Sequence, residues 1–448
     1  MLIHLKQINN MMIKRLTALL LFQMCVLSVW SADGDNTFEP TEKAPIITFA
    51  DANVKAICVA NWDTNGDGEL DEDEAAAVTS LGSTSPFREN ATISSFDEFR
   101  YFKGLKAIGF WAFMNCSQLK SIIIPEGVTV IGQKAFMGCS SLVSLSIPGN
   151  VEEITANAFR GCSGLKELRF EDSEAKLALN SSSGSESFGE CMIETLYIGR
   201  PLSHARTTPP FESQQQLTSV VIGENVKSLP EYYFRACTAL TSVSLPEGLT
   251  SIGMNAFERC SKLEAITIPQ SVTSFGRFAF DGCSLLSDCN IPEGVTSVSY
   301  GLFYHCNNLR KIVIPPSVTE IDDFAFACDN LVEVTIGNPT VPTAYTYSFT
   351  NRANATLYVP AGSKSAYEAY GYWNEFKEIR EIPNQGTVQD GDVNGDGKVD
   401  LSDAIMVTYY SLHVALTSFN ETVADMNGDG KVDLSDAIII IYKSLGVK

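Results

Sequence analysis

The sequence predicts an α/β repeat solenoid with a parallel sheet, followed by a small all-α domain. Two observations predict the solenoid: a phenylalanine recurs every 23 residues through the middle of the chain, and each repeat carries the same apolar pattern. A third observation predicts the small domain: the acidic loop DVNGDGKVDLSD at Asp392 recurs as DMNGDGKVDLSD at Asp425. A chain of 448 residues is too long for one ordinary core unless it is a repeat protein.

The first residues are typical of a secretory signal. Lys14 and Arg15 precede the apolar run 16–30, and Val29 and Ser31 fit the small-residue positions of a cleavage site. A membrane span is the alternative, but the apolar run is short for one. We expect residues 1–31 to be removed, no transmembrane segment in the mature chain, and a protein that is secreted or held at the bacterial cell surface.

The charge of the chain limits its partners. The formal net charge is −21, from 53 acidic and 32 basic residues. Such a surface repels polyanions, so neither nucleic acid nor anionic lipid is expected as a direct partner.

The solenoid prediction rests on the pattern A-F-x-x-C-x-x-L-x-x-I-x-I-P-x-x-V-x-x-I, as in AFERCSKLEAITIPQSVTSFG from Ala256. In an equivalent unit, LVSLSIP predicts a short strand, and Pro148 ends it because proline has no N–H to donate. Val151 and Ile154 are expected on the returning side, and Ala158–Phe159 begin a short helical turn whose ring fills the interior. A period of this size means that each unit buries its apolar face against its neighbours.

Cysteines follow the same period and are expected to stack inside the solenoid. A repeated buried cysteine usually serves as a small apolar filler, although a disulfide between neighbouring rungs stays open. The recurring positions are Cys116, Cys139, Cys162, Cys237, Cys260, Cys283 and Cys306.

This repeat resembles the BspA-like, or Treponema-type, leucine-rich repeats of bacterial surface proteins over residues 93–382. The end of the array, ATLYVPAGSKSAYEAYGYWNEFKEIREI, resembles the closing strand and capping helix of that family. Two departures are a six-residue insertion within Glu171–Cys191 and the segment GRPLSHARTTPPF. Both are expected to project as surface loops, serving either recognition or no function.

The outward strand positions form a concave, polar surface without an aromatic or basic stripe, which suits a protein or glycan ligand without choosing between them. They are Ile123, Ser146, Arg169, Tyr197, Val221, Ser244, Thr267, Asn290, Val313, Thr335 and Tyr358. Aromatic residues near the end of the array are expected to cap the core, with sugar stacking as the alternative. They are Tyr367, Tyr370, Tyr372, Trp373 and Phe376.

Three acidic loops match a calcium site, which takes oxygen ligands from positions 1, 3, 5, 7, 9 and 12 and needs glycine at position 6. The N-terminal loop supplies Asp63, Asn65, Asp67, the Glu69 carbonyl, Asp71 and Glu74, with Gly68 at the turn. The next supplies Asp392, Asn394, Asp396, the Lys398 carbonyl, Asp400 through water and Asp403, with Gly397. The last supplies Asp425, Asn427, Asp429, the Lys431 carbonyl, Asp433 and Asp436, with Gly430. The expected cofactor is therefore Ca²⁺.

The two C-terminal loops, each followed by an apolar helix, resemble a type I dockerin over residues 390–448, after a short linker at 383–389. The resemblance implies that calcium is coupled to folding and that the partner is a cohesin-like domain. It also assigns partner contacts to positions 10 and 11, which are Leu401–Ser402 and Leu434–Ser435. Many dockerins carry two hydroxyl residues there, so the leucines leave the identity of the cohesin open. The near-identical halves allow two binding orientations.

The loop at Asp63 lies in an EF-hand-like region, residues 46–82, with a helix expected on each side. It has no partner loop in the sequence. We interpret it as a structural brace at the entry to the array, with a calcium sensor as the alternative.

The sequence thus predicts a secreted, non-catalytic binding protein whose solenoid recognises a protein or glycan ligand. The alternative is an auxiliary or catalytic component of a polysaccharide-degrading complex. A glycosidase needs two opposed carboxylates across a cleft, and no motif marks such a cleft. The sequence also lacks the G-x-S-x-G and H-E-x-x-H motifs.

Overall fold

The computed structural model describes residues 43–180, 186–204, 209–382, 390–394, 398–412 and 419–445. The signal segment, the linker and Asp396 lie outside these ranges. The chain divides into two compact units, Met1–Pro45 and Ile46–Lys448, and every element below belongs to the second. Within the described ranges, no helix has the length and apolar character to span a membrane.

The solenoid is built from two series of short parallel strands. The front series, named here the front sheet, is β1 (Ser95–Phe96), β3 (Ser121–Ile122), β5 (Ser144–Ile147), β7 (Glu167–Phe170), β9 (Thr195–Ile198), β11 (Ser219–Ile222), β13 (Ser242–Ser244), β15 (Ala265–Ile266), β17 (Asp288–Cys289), β19 (Lys311–Ile314), β21 (Glu333–Ile336), β23 (Thr356–Val359) and β24 (Glu378–Glu381). The back series is β2 (Ala107–Ile108), β4 (Val130–Ile131), β6 (Glu153–Thr155), β8 (Leu177–Asn180), β10 (Leu202–His204), β12 (Ser228–Leu229), β14 (Ser251–Ile252), β16 (Ser274–Phe275), β18 (Ser297–Val298), β20 (Glu320–Ile321) and β22 (Thr343–Ala344).

The predicted parallel-sheet solenoid is confirmed, and the register follows the repeat. Leu145 pairs with Leu168 and Ser251 with Ser274, each 23 residues further along the chain. Strand β5 alternates outward and buried side chains, as its sequence SLSI predicts. The back series was not predicted as a sheet, because V-x-x-I does not alternate. The strands of the back series are short, and they pair in separate groups. The paired residues are the isoleucine of the V-x-x-I pattern, or its equivalent, and the residues next to it.

Between the two series, each coil makes a hydrogen-bonded turn rather than an α-helix. The N–H of Phe136 donates to Ala158 O at 2.7 Å, so the turn is also tied to the next coil. The Phe113, Phe136 and Phe159 rings stack with centroids 5.1 Å apart. Left-handed residues flank the core phenylalanines and let the backbone close around them. Non-glycine examples are Trp111, Asn115, Lys134, Asn157, Tyr232, Asn255, Phe278, His305 and Phe324.

The cysteine ladder is buried and reduced. All eleven described cysteines are free and buried. Each repeated thiol donates to the carbonyl of a core phenylalanine, as Cys139 does to Phe113 O at 3.1 Å. The thiols are therefore fillers that also satisfy a backbone acceptor in the neighbouring coil.

The coil that contains the segment GRPLSHARTTPPF departs from the repeat, and it is stabilised by a buried arginine. Arg200 is 0 % exposed. Its guanidinium donates to Ala175 O at 2.7 and 2.9 Å and to Gly149 O at 2.7 Å. The partners of the guanidinium are thus backbone carbonyls rather than a carboxylate. Burial lowers the pKa of Arg200. Strand β8 lies within the segment Glu171–Cys191 that carries the predicted insertion, and residues 181–185 lie outside the described ranges.

Both ends of the core are covered. At the start, helices α1 (Ala52–Trp62) and α2 (Glu72–Ala77) and the 3₁₀ helix Asp97–Tyr101 close the first coil. The Trp62 ring lies 5.3 Å from Phe102, edge-on. At the end, α3 (Lys364–Glu368) and the 3₁₀ helices Arg352–Asn354 and Trp373–Glu375 cover the last coil.

The predicted aromatic cap is confirmed for four of its five residues. Tyr367, Trp373 and Phe376 are buried, and the half-buried Tyr372 packs against the core, whereas Tyr370 is exposed. Trp373 donates its Nε1 to Pro342 O at 3.2 Å.

The C-terminal region forms a separate small core. Helices α4 (Leu401–Ser411) and α5 (Leu434–Ser444) pack against each other, with the 3₁₀ helix Glu421–Val423 between them in the chain. The buried side chains of this core are Val393, Ala404, Val407, Val423, Ala424, Ala437 and Ile440.

Candidate metal loops and docking helices

The first and last acidic loops share one hydrogen-bond frame. In the first, Asp63 at position 1 accepts the N–H groups of positions 4 and 6 at 2.7 and 2.8 Å. In the last, Asp425 accepts the same two groups at 2.8 and 2.9 Å. The asparagines at position 3, Asn65 and Asn427, accept the N–H of position 5 at 2.9 and 2.8 Å. The backbone is therefore wrapped around the side chains that calcium coordination would use.

The position-12 carboxylate closes each loop. Asp403 Oδ1 accepts the N–H groups of positions 2 and 3 at 3.0 and 3.2 Å, and its Oδ2 accepts that of position 9 at 2.9 Å. Asp436 repeats this pattern at 2.8, 3.2 and 2.9 Å. Glu74 repeats it at 2.8, 3.1 and 3.1 Å. One carboxylate thus joins the start of the loop to the start of the next helix.

Position 9 caps that helix. Asp71, Asp400 and Asp433 are the N-cap residues of α2, α4 and α5, each in a capping box with the position-12 residue. Hydrogen bonds from Ser402 and Ser435 lower the pKa of Asp400 and Asp433. The position-9 side chains therefore have a structural role besides the water-mediated contact predicted for them.

The buried charge of the loops fits a hard cation. Asp403 and Asp436 have no exposed surface. Burial, and secondarily the charge of Asp392, raises the pKa of Asp403. Two nearby carboxylates in such a site are disfavoured as anions unless a cation compensates them. The oxygen-only donors and the glycine at position 6 suit calcium rather than a thiolate-bound or imidazole-bound metal.

The side chains of the loops are engaged by their own backbone. Among the residues that the structure describes, no three carboxylate, histidine or cysteine groups converge closely enough to hold a metal ion. Asn394 donates its Nδ2 to Ser402 Oγ at 2.9 Å, which also fixes the orientation of that amide. Asp392 and Lys398 are described, whereas Asp396 is not.

The two C-terminal helices present matching apolar faces to solvent, here called the docking faces. The buried sides of the helices carry Ala404 and Val407 in α4, and Ala437 and Ile440 in α5. The residues of the docking faces are 44 to 69 % exposed. The first face consists of Leu401, Ile405, Tyr409 and Leu412, and the second of Leu434, Ile438, Tyr442 and Leu445.

Sequence reasoning found only one residue of each docking face, Leu401 and Leu434. The signal for the others was present, because the 33-residue duplication repeats leucine, isoleucine, tyrosine and leucine at the same helical spacing. Ser402 and Ser435, the other predicted partner contacts, are exposed. Their hydroxyls donate to the N-cap aspartates at 2.7 and 2.6 Å.

The front sheet carries a shallow cavity of about 380 Å³ across β5, β7, β9 and β11. Arg169 lies over the Tyr197 ring, 3.7 Å from its centroid. The Tyr197 hydroxyl donates to Asp172 Oδ1 at 2.6 Å. These predicted outward residues are thus held in a fixed arrangement at one place on the sheet.

Comparisons with known proteins agree with this architecture. The family model of the BspA type leucine rich repeat region matches in six copies, over residues 89–209, 207–327 and 250–376. The model of the dockerin type I domain matches residues 390–443. A type I dockerin implies tethering to a cohesin-bearing complex and is generally calcium-binding, and leucine-rich repeats are typically non-catalytic, protein-binding modules. Proteins with these domains are typically extracellular or surface-associated.

Solved structures of bacterial leucine-rich repeat proteins are similar to parts of the chain. One from Bacteroides ovatus is 21 % identical, covers 61 % of this chain and 86 % of its own, and has a TM-score of 0.25. The pneumococcal vaccine antigen PcpA is 22 % identical, with coverages of 60 and 75 % and a TM-score of 0.34. The T. pallidum leucine rich repeat protein is 23 % identical, with coverages of 50 and 82 % and a TM-score of 0.27.

No curated protein matches the chain. The repeat model alone spans residues 89–376 of 448. The chain therefore belongs to the family of proteins with BspA-type leucine-rich repeats, and it carries a type I dockerin domain at its C-terminal end.

Proposed function

We propose that this chain is a secreted, non-catalytic binding protein, tethered through its dockerin to a cohesin and recognising a protein ligand through the front sheet. The observation that carries the proposal is the pair of docking faces, which follow the two duplicated loops. Exposed apolar patches of this kind mark interaction sites in soluble proteins. Here the docking faces follow the loops of a dockerin, a type of domain that is defined by partner binding.

The cohesin would lie across one docking face at a time. Leucine and tyrosine would supply the apolar contact, while Ser402 or Ser435 would lie at its edge. Because the two faces repeat the same residue types, a cohesin could engage either helix after a half-turn. Calcium would act indirectly, since the loops fix the N-terminal ends of both helices.

The experiment is a binding titration of the full chain against a panel of type I cohesins, in calcium and in EDTA. We expect Ile405→Asp alone or Ile438→Asp alone to retain binding, because one face remains. The double variant should lose at least a hundred-fold in affinity. Val313→Asp, at a residue 64 % exposed on the front sheet, is the matched control.

Either of two results would overturn the docking proposal. One is that no cohesin of the panel binds in calcium. The other is that the double variant binds as well as the unaltered chain while its helices remain folded by circular dichroism.

We also propose calcium sites in all three acidic loops. The residues that would hold the ions are Asp63, Asn65, Asp67, Glu69 and Glu74, then Asp392, Asn394, Asp396, Lys398 and Asp403, then Asp425, Asn427, Asp429, Lys431 and Asp436. The common frame of the first and last loops, with the same closure by Asp403 in the middle one, supports this set. Equilibrium dialysis should find three calcium ions per chain, and two after Glu74→Gln.

The solenoid ligand would contact the front sheet at the cavity around Arg169 and Tyr197. Arginine and tyrosine are enriched among residues that dominate protein–protein binding energy. Arg169→Ala and Tyr197→Ala should therefore weaken ligand binding without affecting cohesin binding.

A further inference from the structure

The last strand of the front sheet, β24, has a strand neighbour on one side only. Among the strands that the structure describes, that neighbour is β23, with Leu357 opposite Ile379. The Ile382 N–H donates to Val359 O at 2.7 Å, so the even-numbered residues of β24 turn their backbone groups toward β23. Successive residues of a strand turn these groups to opposite sides. The N–H and C=O groups of Ile379 and Glu381 therefore point to the outer edge of β24.

The two ends of the front sheet differ in how their edges are protected. At the first end, β1 has two residues, and the Asp51 side chain accepts the N–H and the hydroxyl of the adjoining Ser94 at 2.6 and 2.8 Å. At the last end, β24 has four residues, Glu378–Glu381. Short strands and covering groups are two ways in which proteins prevent an edge from pairing with another chain. The first edge has both, whereas β24 is longer and ends the described sheet without a further strand.

The charges of β24 are complementary to those of a second, antiparallel copy. From Lys377 the sequence reads KEIRE, so the charges on the two sides of Ile379 mirror each other with opposite sign and sum to zero. With the Ile379 residues of two copies opposite each other, Lys377 would face Glu381 of the second copy. In the same register Glu378 would face Arg380. Opposite charges on facing positions stabilise a strand pair, and like charges destabilise it.

The backbone selects the same register as the charges. In an antiparallel pair, residues that turn their N–H and C=O groups toward each other lie directly opposite and exchange hydrogen bonds. Ile379 would exchange two such bonds with Ile379 of the second copy. The Glu381 N–H would donate to the Lys377 carbonyl of that copy. One register therefore satisfies both the outer backbone groups and the side-chain charges.

The charged side chains of β24 are exposed and already ordered. Arg380 is 55 % exposed and lies 2.7 Å from Glu378, which is 46 % exposed. Glu381 Oε1 accepts the N–H groups of Gly362 and Lys364 at 2.9 and 3.2 Å. Because these contacts fix the side chains in the single chain, ordering them on association costs little conformational entropy.

We propose that two copies of this chain associate through their β24 edges, as antiparallel strands centred on Ile379. The net charge of −21 makes two copies repel each other, whereas residues 377–381 carry no net charge and allow close approach. A strand of another protein would have to supply the complementary pattern, which a second copy supplies by its own sequence. Four-residue strands form a small contact compared with the about 800 Å² per partner of a stable interface, so the pairing is concentration-dependent.

This inference goes beyond cohesin docking and front-sheet binding, because it concerns association between copies of the chain. The dockerin follows β24 in the sequence, so a pair would present two dockerins from one junction. Two neighbouring cohesins could then bind one pair, and the second binding event would be intramolecular. Copies held on one assembly would in turn be concentrated enough to pair.

The test is sedimentation equilibrium of the full chain up to about 200 μM, at low ionic strength. We expect a monomer–dimer equilibrium. Arg380→Glu places carboxylates opposite each other and should weaken the dimer at least about ten-fold. Glu378→Arg combined with Arg380→Glu makes the pattern complementary again and should restore it. Lys311→Glu, an equal charge reversal at a residue 70 % exposed within the array, is the matched control and should dimerise normally.

The proposal is overturned if the chain stays monomeric over this range, if Arg380→Glu dimerises as strongly as the unaltered chain, or if the exchanged pair of charges does not restore the dimer. It is also overturned if Ile405→Asp with Ile438→Asp abolishes the dimer, because the copies would then meet through their docking faces. Unchanged unfolding midpoints show that the variants are folded. Cohesin binding by Arg380→Glu separates failure here from failure of the docking proposal.

Discussion

At the scale of single residues, each coil is held by one phenylalanine and one cysteine that act across the coil boundary. The ring stacks on its equivalent in the next coil, and the thiol bonds to a carbonyl in the preceding one. Phe136 contacts Phe113 and Phe159, and Cys139 donates to Phe113 O. Loss of either residue therefore removes contacts between neighbouring coils.

Replacing Phe136 by alanine should lower the free energy of unfolding by about 3–5 kcal/mol, the range for a large aromatic residue removed from a core. The ring is fully buried between two others, so little of the cavity can collapse. Urea denaturation followed by circular dichroism measures the loss. Ile123→Ala, on the exposed side of the front sheet, should cost less than 1 kcal/mol. A loss that small at Phe136 would show that the ladder is not rigidly packed.

The ladder residues were predictable from sequence because they repeat without change, but their hydrogen bonds were not. A period of 23 residues locates Cys139 in the interior without saying which carbonyl it meets. The left-handed turn residues were also hidden. Trp111, Lys134 and Phe278 share one conformation and have no chemistry in common. At these positions the tight turn, not residue preference, sets the backbone conformation.

At the scale of elements, alternation made the front strands predictable, and the calcium-loop signature made the three acidic loops predictable. The back strands were missed, and so were all residues of the docking faces except Leu401 and Leu434. A two-residue strand such as β4 has no periodicity of its own and forms only because its neighbours provide a ladder. Exposure of Ile405 and Tyr409 follows from how α4 packs on α5, which requires the three-dimensional structure.

Calcium in the N-terminal loop should stabilise the first coil. Helices α1 and α2 flank this loop, and Asp51 at the start of α1 accepts the Ser94 N–H at 2.6 Å. Hydrogen exchange with mass spectrometry on the full chain should show slower exchange of residues 93–110 on calcium addition. Glu74→Gln should abolish that change, while the helices of the dockerin still respond. Equal calcium responses in both proteins would contradict the proposed brace.

At the scale of the whole molecule, one hydrophobic core runs from Ile47 to Ile379, so the N-terminal helices, the coils and the C-terminal cap share a single interior. The described thiols inside it are all buried. Burial raises the pKa of Cys237 and Cys328 to about 12. It also raises the pKa of Cys58, Cys260, Cys283, Cys289 and Cys306.

These seven thiols should make the solenoid sensitive to alkali. In the unfolded chain a thiol ionises near pH 8.5, whereas the folded chain keeps it protonated, so stability is complete below that pH and falls as pH rises above it. Each thiol contributes about 1.4 kcal/mol per pH unit in that window, or roughly 10 kcal/mol for seven at most. With a reductant present, the urea midpoint should fall steeply between pH 8.5 and 9.5, below the titration of lysine and tyrosine. A Cys237→Ala, Cys260→Ala, Cys283→Ala variant should show a shallower fall. A midpoint constant over this range would mean that the thiols ionise without unfolding.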